Sequence, residues 1–356
     1  MAQTSPTPMQ HIQSAVERLR RGGLVAFPTE TVYGLGADAL SPEAVAAVFR
    51  VKGRPAHNPL IVHVSGVEMA RTQVVAPGAW SAAAGALARA FWPGPLTLVL
   101  PAREELPAAI SGLGTTDNGV AAGGGRSVGV RCPDHPTALA LLFAFGRPIV
   151  GPSANLSGAV SPTRAEHVRS AFDPREVFVL EGGDCQAGIE STVLSLLDTV
   201  PRILRPGVIG AEALARVLGR DVVASTPAGE PPQTDPASRP LASPGMLVSH
   251  YAPKTPAVIV DDVETCLELE RVEDSGGRAV VLTHRLVTTV EPPHELIEMP
   301  ARAAEYAAAL YATLRQADAR GASVIIVERP PTTAELEVDQ VIWGAVADRL
   351  RRATAR

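Results

Sequence analysis

Apolar and polar positions along this chain repeat with two periods, and together they predict an α/β protein. Ile12, Ala15, Val16 and Leu19 fall on one helical face, and Gly22-Gly23 stops that helix. Leu24 to Phe27 follows as a short apolar strand running into the loop PTETVYGLG. Ser41 and Pro42 supply an N-cap and an N1 proline for a helix toward Arg50. Leu60, Val62 and Val64 alternate with Ile61 and His63, the period of a strand. Further strands are predicted over Leu96 to Leu100, Ser127 to Arg131, Pro148 to Val150, Val177 to Leu180, Thr192 to Leu196 and Arg202 to Leu204. Helices are predicted over Gly78 to Ala90, Asp134 to Phe145, Thr163 to Ala171 and Gly210 to Leu218. Several strands follow one another without a helix, so a mixed sheet is expected rather than strict βαβ alternation.

The pattern breaks after Arg220. ASTPAGEPPQTDPASRPLASPG is proline-rich, small and polar; it cannot bury a core and reads as a linker. Regular patterning resumes at Ala257 to Val260, Arg278 to Leu282, a helix over Ala301 to Ala317, Ser323 to Val327 and a final helix over Val341 to Leu350. The expected organisation is a first domain over 1–218, a linker over 219–252 and a smaller α/β domain over 253–356, which carries no obvious catalytic cluster. The glycine-rich stretch NGVAAGGGRS lacks the lysine of a P-loop; a surface insertion and a phosphate cradle both remain open for it.

A length of 356 residues agrees with two domains. The net charge of −5 argues against a basic nucleic-acid coat protein, though not against a local basic cleft. Cys132, Cys185 and Cys266 are widely spaced without a CxxC pair, against a disulfide framework or a structural zinc site. The N-terminus shows no signal pattern and no apolar run is long enough to span a bilayer, so a cytoplasmic protein without membrane contact is expected.

Polar loops at predicted strand ends hold the candidate chemistry. PTETVYGLG offers hydroxyls beside glycines that admit a ligand to the backbone. KGRPAHNPLIVH brackets Gly53 with Lys52 and Arg54, and Pro55 and Pro59 stiffen the turn; it is either a phosphate holder or a solvated turn. Strand period puts Ser127, Gly129 and Arg131 on one face. GPSANLSG and GIESTV, the latter followed by ILRPG, complete the set. Together the loops carry Lys52, Arg54, Arg131 and Arg205 with Thr31, Asn58, Ser153, Asn155 and Ser191, an inventory suited to a polyanionic nucleotide and a small polar co-substrate. GxSxG and HExxH are missing, so the chemistry rests on positioning and charge stabilisation.

In this order, FPTETVYGLG, KGRPAHNPLIVH, FWPGPLTLVL, VGVRCPDHP, GPSANLSG with SPT, GIESTV and ILRPG resemble the YrdC-type threonylcarbamoyl-adenylate synthases. SPGMLVSHYAPKTP resembles the start of the second domain in the long form of that family. One stretch departs from the pattern: Ile110 to Ser127 is longer and richer in glycine. The resemblance implies a twisted mixed-sheet domain with a concave basic cavity and a smaller Rossmann-like domain. It implies synthesis of L-threonylcarbamoyl-AMP from L-threonine, bicarbonate and ATP with release of pyrophosphate. The product would pass to a downstream transferase that modifies the tRNA adenosine beside the anticodon; direct contact with tRNA stays open. By motif, Thr31, His63, Arg131, Gly151 and Ser191 would surround threonine. Arg54, Asn58, Ser127, Ser153, Ser161 and Arg205 would surround ATP, with Lys52 and Arg54 acting on the phosphates and Tyr251 folding back on the nucleotide. No carboxylate cluster suggests a protein-held metal, so Mg²⁺ would arrive on ATP. Two other readings are an RNA-binding module without catalysis, disfavoured by the acidic charge and the few aromatics, and a carbamoyl-adenylate-forming domain of the hydrogenase-maturation type.

Overall fold

A computed structural model of the chain describes residues 7–55, 58–113, 115–116, 119–120, 125–224, 250–284 and 290–355. Most of the expected linker, part of the glycine-rich stretch, and Ala56 and His57 of the basic loop lie outside the described residues.

Local signals set the first helices. Pro8–Arg20 begins where Thr7 and Gln10 cap each other's backbone N–H groups, and it buries Ala15, Val16 and Leu19. Pro42–Lys52 is capped by the Ser41 hydroxyl on the Ala44 N–H and stops at Gly53, whose φ of 61° is left-handed. That stop leaves Lys52 in the last turn and Arg54 just past it, with the Arg54 N–H returning to the Phe49 carbonyl.

Among the described residues the large sheet has ten strands. Its order is Val177–Val179, Leu24–Phe27, Gly34–Asp38, Ile149–Val150, Ile61–His63, Arg126–Arg131, Leu96–Pro101, Thr192–Ser195 and Arg202–Arg205, with Gly112–Leu113 beside Arg126–Arg131. Parallel and antiparallel pairs mix, as the adjacent strands predicted: Ile61–His63 runs parallel to Arg126–Arg131 and antiparallel to Ile149–Val150. Val45 and Val48 pack with Leu35, Val62, Leu98 and Val130 in one core. In another, Val16 and Leu19 join Leu141, Leu142 and Phe145 over Val25, Phe27 and Ile149.

Two predicted helices are shorter than expected: Ala82–Phe91 starts after a Ser81 cap, and Ala165–Arg169 covers only the middle of its predicted span. PTETVYGLG reads as loop, since glycine-rich segments have low strand propensity, yet Gly34–Asp38 is a strand. Space explains the strand. A Cβ at Gly36 would stand 2.9 Å from the Val25 carbonyl oxygen and 3.0 Å from Ile149 Cγ2.

Among the described residues the second unit holds a four-stranded parallel sheet in the order Ala257–Val260, Val324–Glu328, Ala279–Thr283 and Glu295–Glu298. With helices Asp262–Asp274, Ala303–Asp318 and Glu337–Thr354 it forms a small Rossmann-like layer structure. Helix Asp262–Asp274 and strand Glu295–Glu298 had no clear sequence signal, since DVETCLELERVED carries charge around most of its circumference. Among the described residues no helix is long and apolar enough to cross a membrane.

Candidate active site

Sheet order brings distant strand ends together. Ile61–His63 and Arg126–Arg131 are parallel neighbours, and their register sets His63 beside Arg131. The Gly151 N–H donates to the Ile61 carbonyl, and the following Ser153 forms a bridge with Gly34. Arg205, at the end of Arg202–Arg205, lies opposite Val193 and donates to both the carbonyl and the hydroxyl of Ser191. Of the predicted site residues, Thr31, Arg54, His63, Arg131, Gly151, Ser153, Ser191, Arg205 and Tyr251 line one cavity.

One side of this cavity suits an amino acid. Arg131 donates to the Thr31 hydroxyl at 2.9 Å and to the Gly94 carbonyl at 3.2 Å, and Thr29 and Thr31 share a hydrogen bond of 2.8 Å. Arg131 Nη2 comes within 2.7 Å of a Glu30 carboxylate oxygen. The contact is an ion pair whose geometry is not that of a hydrogen bond. His63 meets Phe27 edge-on at 5.4 Å between ring centres. Burial, with the nearby charge of Arg131, holds its imidazole pKa well below the ordinary 6.5, so it is neutral and presents a buried Nδ1 to the cavity.

The other side concentrates positive charge. Lys52, Arg54 and Arg205 are all buried. Arg54 is held by the Asn58 side chain at 2.7 Å and by the carbonyls of Asn58 and Pro59. Burial brings its pKa down to about 10, with the Arg205 charge adding to the effect. Burial likewise lowers Lys52. Its ammonium donates to the carbonyls of Ser153 and Asn155, so it shapes the GPSANLSG loop from behind. Carbonyl oxygens satisfy these donors without neutralising them, and a polyanion is the natural counter-charge.

Tyr251 fills the remaining space. Its backbone is left-handed at φ 65°, its side chain is buried, and its hydroxyl has no hydrogen-bond partner among the described residues. The cavity left beside it is about 40 Å³, room for a few water molecules and not for a nucleotide.

Four predicted residues do not line the cavity. Lys52 and Asn58 stand behind it as supports for the Ser153 loop and Arg54. Ser161 donates to Glu190 at 2.8 Å. Ser127 is buried at the start of its strand, where it pairs with Pro101 and Gly112, four positions before Arg131. Sequence reasoning missed Thr29, Glu190 and His250, which do line the cavity. Each stands beside a chosen residue, and an acid within the hydroxyl-rich GIESTV was the signal for Glu190.

Known proteins share this fold and these motifs. Residues 17–207 match the Sua5–YciO–YrdC family, described as telomere recombination, and residues 209–355 match the threonylcarbamoyl-AMP synthase C-terminal domain. The chain is 39% identical over 349 residues to a threonylcarbamoyl-AMP synthase of Bacillus subtilis, covering 96% of this chain and 92% of that protein. It is 37% identical to the Pyrococcus abyssi enzyme of the same name, covering 96% and 94%. The crystal structure of Pyrococcus abyssi Sua5 complexed with L-threonine superposes with a TM-score of 0.80 at 35% identity, covering 99% of this chain and 96% of that one. Motif order, fold and cavity thus converge on one assignment, and the chain belongs to the threonylcarbamoyl-AMP synthase family in its long, two-domain form.

Proposed function

We propose that this chain is an enzyme that joins L-threonine, bicarbonate and ATP into L-threonylcarbamoyl-AMP and releases pyrophosphate. One observation carries the reading. Strand ends far apart in sequence meet in a single cavity that has an arginine and a neutral imidazole on one side and buried cations on the other. Arg131 pairs with threonine's carboxylate, and the hydroxyls of Thr31 and Ser191 face its polar groups. Threonine's amine, after losing a proton, takes up bicarbonate-derived CO₂ as a carbamate. A carbamate oxygen then attacks the α-phosphorus, and the bond to pyrophosphate breaks. Arg54 and Arg205 disperse the charge that develops, with Lys52 holding the Ser153 loop in place.

Among the described residues no group of three or more His, Cys, Asp or Glu side chains could hold a metal ion. Mg²⁺ would arrive as part of the substrate, carried by ATP. Tyr251 occupies space that the nucleotide needs, so it shifts when ATP enters and then covers it. The product feeds a downstream transferase that modifies tRNA, and the cytoplasmic setting suits the free thiols of Cys132, Cys185 and Cys266.

Mass spectrometry of products formed from ATP, bicarbonate and each amino acid in turn tests the reading. The expected outcome is an acid-labile adenylate with threonine and pyrophosphate release that depends on threonine. Turnover with carbamoyl phosphate in place of threonine and bicarbonate, or RNA binding without ATP use, would overturn it.

A further inference from the structure

The seam between the two units is apolar: Val32, Val160 and Ile189 of the first pack with Tyr306, Leu310 and Trp343 of the second. A charged network runs through it. Glu190 Oε2 accepts from Arg349 Nε at 2.8 Å and from the Tyr311 hydroxyl at 3.0 Å, while Oε1 accepts from Ser161. Arg349, on helix Glu337–Thr354, is fully buried; its Nη2 donates to the Pro206 carbonyl at 2.9 Å and its Nη1 to Asp348.

Those contacts grip the cavity wall at two points. Glu190 immediately precedes Ser191, whose carbonyl and hydroxyl hold Arg205, and Pro206 immediately follows Arg205. The Arg349 guanidinium stands over the Tyr251 ring at 5.5 Å from its centre, and that ring stacks on Tyr311 at 5.6 Å and 29°. Glu190 itself is committed as an acceptor. Burial favours its protonated form, but the charges of Arg349 and Arg205 outweigh this and hold its pKa at about 2. Buried ion pairs add little net stability over well-packed apolar groups, so fixed geometry is the better account of this one.

We infer that Arg349 and Tyr311, both from the second domain, are positioning residues of the synthase site: through Glu190 and Pro206 they set Arg205 against the nucleotide. The inference rests on the reading of the cavity as an ATP and threonine site. It predicts a one-sided effect. Ser191 Oγ is also held by Thr97 at 2.8 Å within the first domain, so the amino-acid side keeps its own support.

Full-length Tyr311→Phe and Arg349→Lys variants test it. Phenylalanine keeps the ring stack and removes one donor to Glu190; lysine keeps the charge and loses the planar fork. Calorimetry with a non-hydrolysable ATP analogue gives the nucleotide Kd, threonine-dependent pyrophosphate release gives both KM values, and a thermal melt gives the midpoint. In Arg349→Lys the expected nucleotide Kd and KM rise about tenfold, and in Tyr311→Phe about threefold, with threonine KM within about twofold of the parent. Unchanged nucleotide binding in both variants overturns the inference. So does a lower midpoint with both KM values intact, or an equal loss toward both substrates. If Arg349→Lys does not fold, Tyr311→Phe decides by the same criteria. A parent chain that neither binds the analogue nor uses threonine refutes the synthase reading itself, a separate result visible before any variant is made.

Discussion

Arg54 is oriented by three acceptors of its own loop, the side chain and carbonyl of Asn58 and the carbonyl of Pro59. Its charge is spent on the cavity rather than on an internal carboxylate. Arg54→Ala is expected to cost roughly 2–5 kcal/mol of transition-state binding, the range for removing one partner of a buried charge pair. A kcat/KM for threonine-dependent pyrophosphate release equal to the parent's would contradict this. Gly151 permits a close approach, since a Cβ there would lie 2.6 Å from His63 Nδ1. Gly151→Ala should push the buried imidazole into the amino-acid side, at an overpacking cost of about 1–3 kcal/mol. Threonine affinity measured by calorimetry is expected to drop about tenfold or more, and normal affinity would show that His63 does not face threonine. Arg54, Arg131 and Arg205 were legible in the sequence because each stands at a strand end or glycine-proline turn. Arg349 was not. It lies in DRLRR, where neighbouring arginines read as a solvated helix face.

Caps and stops bound several elements: Ser41 reads as an N-cap in the sequence, while the Thr7 cap and the Gly53 stop came to light with the fold. Strand Gly34–Asp38 was hidden because its glycines serve close packing with Val25 and Ile149 rather than strand propensity. Gly188 plays a similar part at the seam. Its φ is +69°, and a Cβ would stand 2.3 Å from the Ala307 carbonyl oxygen on helix Ala303–Asp318. Gly188→Ala therefore meets both left-handed backbone and a clash with backbone that cannot yield. A lower thermal midpoint with weaker nucleotide binding is expected by calorimetry; an unshifted midpoint would mean the two units can separate there at no cost.

For the molecule as a whole, buried and half-buried histidines set the acid response. Burial holds His63 well below the ordinary 6.5, His167 at about 4 and His250 at about 3. The unfolded chain takes up protons on these groups near 6.5 and the native chain does not, so stability falls as pH drops below that value and toward the folded values. Glu190, at about 2 in the fold against 4.5 ordinarily, adds a further loss as pH falls below 4.5. The melting midpoint is expected to be level near neutrality, to decline below about pH 6.5 and to steepen below about pH 4.5. A midpoint unchanged from about pH 7 to about pH 5 would mean these imidazoles are accessible to protons in the fold.

Period, caps and turn residues are local, so the chain by itself determined the α/β class, most helices and strands, and the loops that hold the cations. Which loops meet depends on the order of strands in the sheet, and that order joins residues a hundred positions apart, such as Thr31 and Arg131. Whether a side chain lines the cavity or braces it from behind, as Lys52 does, depends on direction and burial within the assembled sheet. The tie from helix Glu337–Thr354 through Arg349 to Glu190 exists only once two separately patterned units close on each other, because burial, not sequence neighbourhood, turns that arginine from a surface charge into a fixed support.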